Sequence, residues 1–150
     1  MKTLWHDDGG IEIRRRLDLV RPDLPRQWGR MTAHQMVCHL ADSFRSVMGE
    51  LSNPPVDNLF SRSVMKWLAL YAPLQWPHGI KTRPAVDQEV GGTRPVEFAS
   101  DIEELRQLIE RFSKRERDFD PHPIFGHMSD WEWMRWGYLH CDHHFRQFGI

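Results

Sequence analysis

A chain of 150 residues with 20 Lys+Arg against 21 Asp+Glu is close to neutral, which removes the long-range electrostatic case for nucleic acid or an anionic membrane surface as partner. The length suits a single domain over residues 1–150 built on one core, and two cysteines, Cys38 and Cys141, make no disulfide framework. The opening stretch MKTLWHDDGG turns acidic and Gly-rich with no apolar run, so it does not read as a signal peptide and a cytoplasmic location is expected.

A first helix is predicted over residues 10–20, with Ile11, Ile13, Leu17 and Val20 as its apolar positions and Pro22 and Pro25 closing it. Its run Arg14-Arg15-Arg16 is expected on a solvated face. A second helix starts at Thr32, where Thr32 and Gln35 have the spacing of a reciprocal cap in which each side chain takes an orphan amide of the other end. Met36, Val37, Leu40, Phe44, Val47, Met48 and Leu51 then recur at three and four, and Asn53-Pro54-Pro55 is the expected stop. One or two helical turns fit residues 61–71. The surrounding SVMKWLALYAPLQW is interrupted by Lys66 and Pro73 and falls short of the roughly 20 apolar residues of a spanning helix, so a buried or interfacial helix is expected.

Residues 73–98 contain four prolines and three glycines and show no helical period. Structureless connections this long are uncommon in small domains. Trp76 and Ile80 favour an ordered, packed crossover, and one long crossover suggests that two consecutive helices run parallel. Ser100 and Glu103 have the spacing of another reciprocal cap, followed by Ile102, Leu105, Leu108, Ile109 and Phe112 in a helix running to about Arg117. A third such cap, Ser129 with Glu132, opens a helix to about Phe148 whose large apolar residues lie on every side, the mark of a buried helix. No alternating strand pattern and no internal repeat is found, so the class is all-α.

The closing YLHCDHHFRQFGI crowds three histidines. At about 100° per residue, His140 and His144 lie about 40° apart on one face, one turn from each other, which suits two imidazoles on one metal ion. Trp133, Trp136, Gly137 and Gln147 share that face, and His143 projects to the flank. Two histidines seldom hold a catalytic ion, whereas three plus a water form an open zinc site. His39, at the edge of the second helix's apolar stripe, is the best third ligand; His34, near the helix start, is expected at the helix end or in solvent. The alternative is a set of buried histidines satisfied by hydrogen bonds alone. Asp42 and Asp142 are the nearby carboxylates that a bound imidazole's second N–H would seek, although Asp142 points about 160° from His140, and a carboxylate from another helix is equally open. Cys38 and Cys141 neighbour His39 and His140, and helical geometry turns them about 100° away, against a mixed thiolate site. The seven tryptophans, without a basic groove, read as core.

The segments WGRMTAHQMVCHLADSFR, WPHGIKTRP, GGTRPVEFASD and HPIFGHMSDWEWMRWGYLHCDHHFRQFG together resemble the DinB-like (YfiT-like) superfamily of metal-dependent proteins, and within it a small uncharacterised bacterial branch. The likeness runs from about Trp28 to the end. It implies a four-helix bundle with one long Pro-rich crossover, often as a homodimer, and a divalent ion, zinc or nickel, held by one histidine of the second helix and an HxxxH pair of the last. On this chain those positions are His39, His140 and His144. Where the family commonly ends HHRGQ, this chain has His143-His144-Phe145-Arg146-Gln147, and no role is carried over onto Arg146.

Two kinds of function follow as expectations. One is an enzyme in which the ion activates a low-molecular-weight thiol for transfer or isomerisation, with metal-assisted hydrolysis as the alternative; His34, His143 and Asp42 are then candidates for proton transfer. The other is a non-catalytic, metal-stabilised module that binds a small molecule or partner. Neither calls for nucleic acid or a membrane.

Overall fold

The computed structural model describes residues 1–5, 8–116 and 118–150. Five α-helices form from these residues: α1 (Asp8–Leu17), α2 (Ala33–Val47), α3 (Lys66–Leu70), α4 (Phe98–Ser113) and α5 (Asp130–Gln147). A π-helical turn, Ser61–Met65, runs directly into α3, and a 3-10 turn, Pro84–Val86, interrupts the crossover. Among the described residues there is no strand, only an isolated bridge between His122 and Gly126, so the class is all-α. Among the described residues no helix is long and apolar enough to cross a membrane.

Two of the three predicted caps form. Thr32 Oγ1 accepts from Gln35 N at 3.1 Å while Thr32 N donates to Gln35 Oε1 at 2.8 Å, and Ser129 and Glu132 reciprocate in the same way at α5. The third does not: α4 begins three residues earlier than its Ser100 signal, because the Glu97 carboxylate caps the amides of Ala99 and Ser100. Two free amides at a helix start attract a carboxylate as well as they attract a hydroxyl. The far end of α4 stops at Ser113, short of residue 117, which itself lies outside the described residues.

Helix α2 ends before its prolines. Gly49 has φ +75°, and in that left-handed conformation its N–H reaches Ser46 O at 3.2 Å while Glu50 N reaches Arg45 O at 2.8 Å. Those bonds satisfy the last carbonyls and turn the chain at Val47, leaving 51–55 as extended connection. Helix α1 is shifted as well, to Asp8–Leu17 instead of 10–20.

The core is one cluster in which Phe44 of α2, Phe112 of α4 and Phe145 of α5 are fully buried. Phe44 meets Phe112 at 4.9 Å and Trp136 at 5.8 Å between ring centroids, both edge to face. Helix α2 packs on α4 and on α5, and α1 and α3 pack on α5. Gly137 allows this: a Cβ there would stand 2.5 Å from Leu4 Cδ1 and 2.9 Å from Phe112 Cε1. The arginine run is not wholly solvated. Arg16 is buried, donates to Asp142 Oδ1 at 2.7 Å and to Ile150 O at 2.8 Å, and so places its charge at the C-terminal end of the α5 dipole.

Of the tryptophans, Trp133 and Trp136 are core, while Trp67 is 58% exposed. Trp67 belongs to an apolar face with Phe60, Val64, Leu68 and Tyr71 that stays exposed along the π-turn and α3, so this helix is neither fully buried nor solvated by polar residues. The crossover is ordered around Trp76, whose indole N–H donates to Ala69 O at 2.9 Å, and around the buried Val86 and Gln88. Ile80 does not contribute, being 68% exposed.

Candidate metal centre

Three imidazoles meet where α2 and α5 face each other beneath the crossover. His39 and His144 are buried and His140 partly so, and one ligand atom from each lies within 4.8 Å of the others. His39 Nε2 and His140 Nε2 are 3.3 Å apart, close to the roughly 3.3 Å edge of a tetrahedron drawn with the usual 2.0–2.1 Å zinc–nitrogen bonds. The ring centroids of His39 stand 5.3 Å from His140 and 4.7 Å from His144, and those of His140 and His144 are 5.0 Å apart.

The backs of two rings fix their tautomers. His39 Nδ1 lies 2.7 Å from the carbonyl of Val86, which only a protonated Nδ1 can use, so Nε2 keeps its lone pair. His144 Nδ1 lies 3.0 Å from Gln147 Oε1, and the same logic frees its Nε2. His140 Nδ1 is buried with no hydrogen-bond partner among the described residues. Burial pushes all three imidazolium forms down, and the mutual repulsion of the rings lowers His140 and His144 further, leaving neutral imidazoles, the form that ligates. The donor set therefore fits a borderline divalent ion with three nitrogen ligands.

The groups behind the rings differ from the expected carboxylates. Asp42 is fully buried, but its oxygens accept from Thr93 N at 2.7 Å, Thr93 Oγ1 at 2.8 Å, Gln88 Nε2 at 3.0 Å and Arg45 Nη1 at 3.0 Å. Asp42 thus pins the crossover to α2, one step removed from His39, whose own partner is the Val86 carbonyl of the same crossover. Asp142 turns away toward Arg16 and Arg146, as the helical wheel requires. Arg146 also reaches Gln75 Oε1 at 2.8 Å. Gln147 holds His144 and is itself held, donating from Nε2 to Trp28 O at 2.9 Å. Gly29, at φ +79°, makes room for that contact, since a Cβ there would lie 2.5 Å from Gln147 Nε2. Gln147 sits three residues beyond His144, so its spacing was a readable signal; nothing in the sequence pointed to the Val86 carbonyl.

A cavity of about 500 Å³ opens beside the centre, lined by Trp28, Arg30, Lys81, Gln88, His143 and His144 among others. His143 lies on its wall, 5.2 Å from His144 by ring centroids and edge-on to Trp28 at 5.9 Å; Trp28 in turn stacks flat on His78 at 3.8 Å. Burial, with the Arg146 charge, pushes the His143 imidazole down to about 4. His34, in the first turn of α2, is directed neither at the helix end nor into open solvent: its Nε2 lies 2.6 Å from Asp101 Oδ2 of α4, turned away from the three histidines. Cys38 turns the same way, 3.7 Å from Asp101 Oδ2, and Cys141 is fully buried, so neither thiol joins the centre. Burial and then Asp101 push the Cys38 thiol up to about 12.

No curated protein and no solved structure matches the chain. A family described as a protein of unknown function, DUF1569, matches residues 3–149, and the chain belongs to that family.

Proposed function

We propose that His39, His140 and His144 hold one divalent ion, zinc or nickel, and that the protein is a metal-dependent enzyme acting on a small molecule, with a low-molecular-weight thiol activated for transfer or isomerisation as the leading chemistry. The observation that carries this is the pairing of His39 Nδ1 with Val86 O and His144 Nδ1 with Gln147 Oε1, which leaves the Nε2 of both rings free in a cluster where the ligand atoms of all three histidines lie within 4.8 Å of one another. Such outer partners orient the rings of metal sites and raise the basicity of the ligand. A divalent ion with an open position supplies a lowered pKa to a coordinated thiol or water. The chain supplies the rest: Asp42 anchors the crossover that carries Val86, Gln147 fixes His144, and Trp28 and His143 wall the cavity through which a substrate enters. Of the candidates for proton transfer, His143 lines the cavity, whereas His34 faces Asp101 away from the centre and Asp42 is engaged in holding the crossover.

On this reading α1, α2, α4 and α5 form a four-helix bundle of DinB-like (YfiT-like) type, with 73–98 as its long crossover, and the protein is a cytoplasmic homodimer, which light scattering on the purified protein tests. The packing of α2 on α4 and α5 and of α1 on α5 supports the bundle. The activity is tested by assaying metal-loaded protein with low-molecular-weight thiols and electrophiles beside a His144→Ala control. Metal-dependent thiol consumption lost in the control is expected. Turnover of esters or amides without thiol would instead favour a hydrolase, and equal rates in both proteins would leave a non-catalytic, metal-stabilised binding module.

A further inference from the structure

A second group of ligating side chains lies on a different face of α2, toward α4. His34 and Cys38, one turn apart on α2, and Asp101, in the first turn of α4, bring one ligand atom each within 4.8 Å of one another. Three donors converge on one carboxylate oxygen: His34 Nε2 at 2.6 Å, the Cys38 thiol at 3.7 Å and Val96 N at 3.2 Å all address Asp101 Oδ2. Cys38 is buried, whereas the His34 and Asp101 side chains are each 19% exposed, so one side of the cluster faces solvent. The His34 ring is braced edge to face on Phe98 at 5.3 Å.

One thiol, one imidazole and one carboxylate at the i, i+4 spacing of one helix and the start of another are a borderline-soft donor set with a free fourth position for water. We propose that His34, Cys38 and Asp101 form a second divalent-cation site, zinc-like in preference, that clips α2 to α4. Coordination replaces the Cys38 thiol proton with the ion and releases that proton to water. His34 gives up to water the Nε2 proton it now donates to Asp101 and takes one from water at Nδ1, so that it binds through Nε2 as the neutral Nδ1–H tautomer, and Asp101 binds as the carboxylate it already is. Consecutive residues Cys38 and His39 then serve two different ions because neighbouring helical side chains diverge by about 100°. The site is also mechanically linked to the crossover, since Val96, at its far end, already donates to Asp101.

Cobalt(II) tests this, because a cobalt–thiolate bond has a near-ultraviolet charge-transfer band that a site of three imidazoles lacks. Metal-free, reduced protein titrated with Co²⁺ is expected to take up two equivalents, one of which brings in the thiolate band. The band is expected to persist in His140→Ala, His144→Ala and Cys141→Ser, to vanish in Cys38→Ser, and to need about tenfold more Co²⁺ or beyond in His34→Gln and Asp101→Asn. Circular dichroism of each variant separates a lost ligand from a lost fold, and the three conservative variants guard against any one misfolding. Absence of a thiolate band in the folded wild-type protein, or its survival in Cys38→Ser, overturns the proposal. Since the band reports Cys38 alone, either outcome is independent of whether the three-histidine centre binds metal.

Discussion

Gln147 is the residue on which the account of the centre can be tested most locally. Its Oε1 fixes the tautomer and direction of His144 while its Nε2 ties α5 to Trp28 O. Replacing it with Leu keeps the volume and removes both bonds. The expected result is a loss of metal affinity of about 10- to 100-fold, as for other outer-sphere partners of metal-bound imidazoles, measured by competition with a chelator. An unchanged affinity would mean that packing alone orients His144. The spacing of His140, His144 and Gln147 on one face was legible in the sequence because all three belong to one helix, whose period fixes their relative directions. The Val86 carbonyl was not, because a backbone group carries no residue-type signal and reaches His39 only through a crossover whose course is set by the bonds of Thr93 and Gln88 to the buried Asp42.

At the scale of elements, periodicity located every helix, and the errors were at the ends. They arose where two local signals compete: Glu97 over Ser100 at the start of α4, and Gly49 over Pro54 at the end of α2. This gives a discriminating prediction. Thr32→Ala, Ser129→Ala and Glu97→Ala should each lower stability by about 1 kcal/mol, read as a shift in the urea midpoint, whereas Ser100→Ala should be near neutral because its hydroxyl caps nothing. A Ser100→Ala loss as large as that of Thr32→Ala would restore Ser100 as the cap. Arg16 is a different kind of error. A triplet of arginines has no helical face of its own, and only the approach of the α5 terminus singles out the middle of α1's last turn for burial against Asp142.

For the molecule as a whole, buried neutral imidazoles dominate the acid response. His122, with Nδ1 accepting from the amides of Ile124 and Phe125 at 3.2 Å each, is pushed by burial and by the Arg83 charge from its ordinary 6.5 down to about 3, and His143 down to about 4. An unfolded histidine titrates near 6.5, so between pH 6.5 and about 3 the unfolded chain binds more protons than the folded one, and stability falls as pH falls through that window. Metal-free protein should therefore show a urea midpoint that is flat above about pH 7 and drops steadily toward pH 4. A midpoint independent of pH over that range would contradict the burial of these rings.

Whether the three imidazoles of α2 and α5 hold one metal ion is tested most directly by metal content in the Cys38→Ser background, which silences the α2–α4 cluster. Elemental analysis of that protein after dialysis should give about one equivalent of zinc or nickel. The equivalent should be lost in each of His39→Ala, His140→Ala and His144→Ala, and retained in His143→Ala, whose ring lines the cavity without joining the three. Metal content unchanged by His39→Ala or His140→Ala, or lost equally with His143→Ala, would contradict the account.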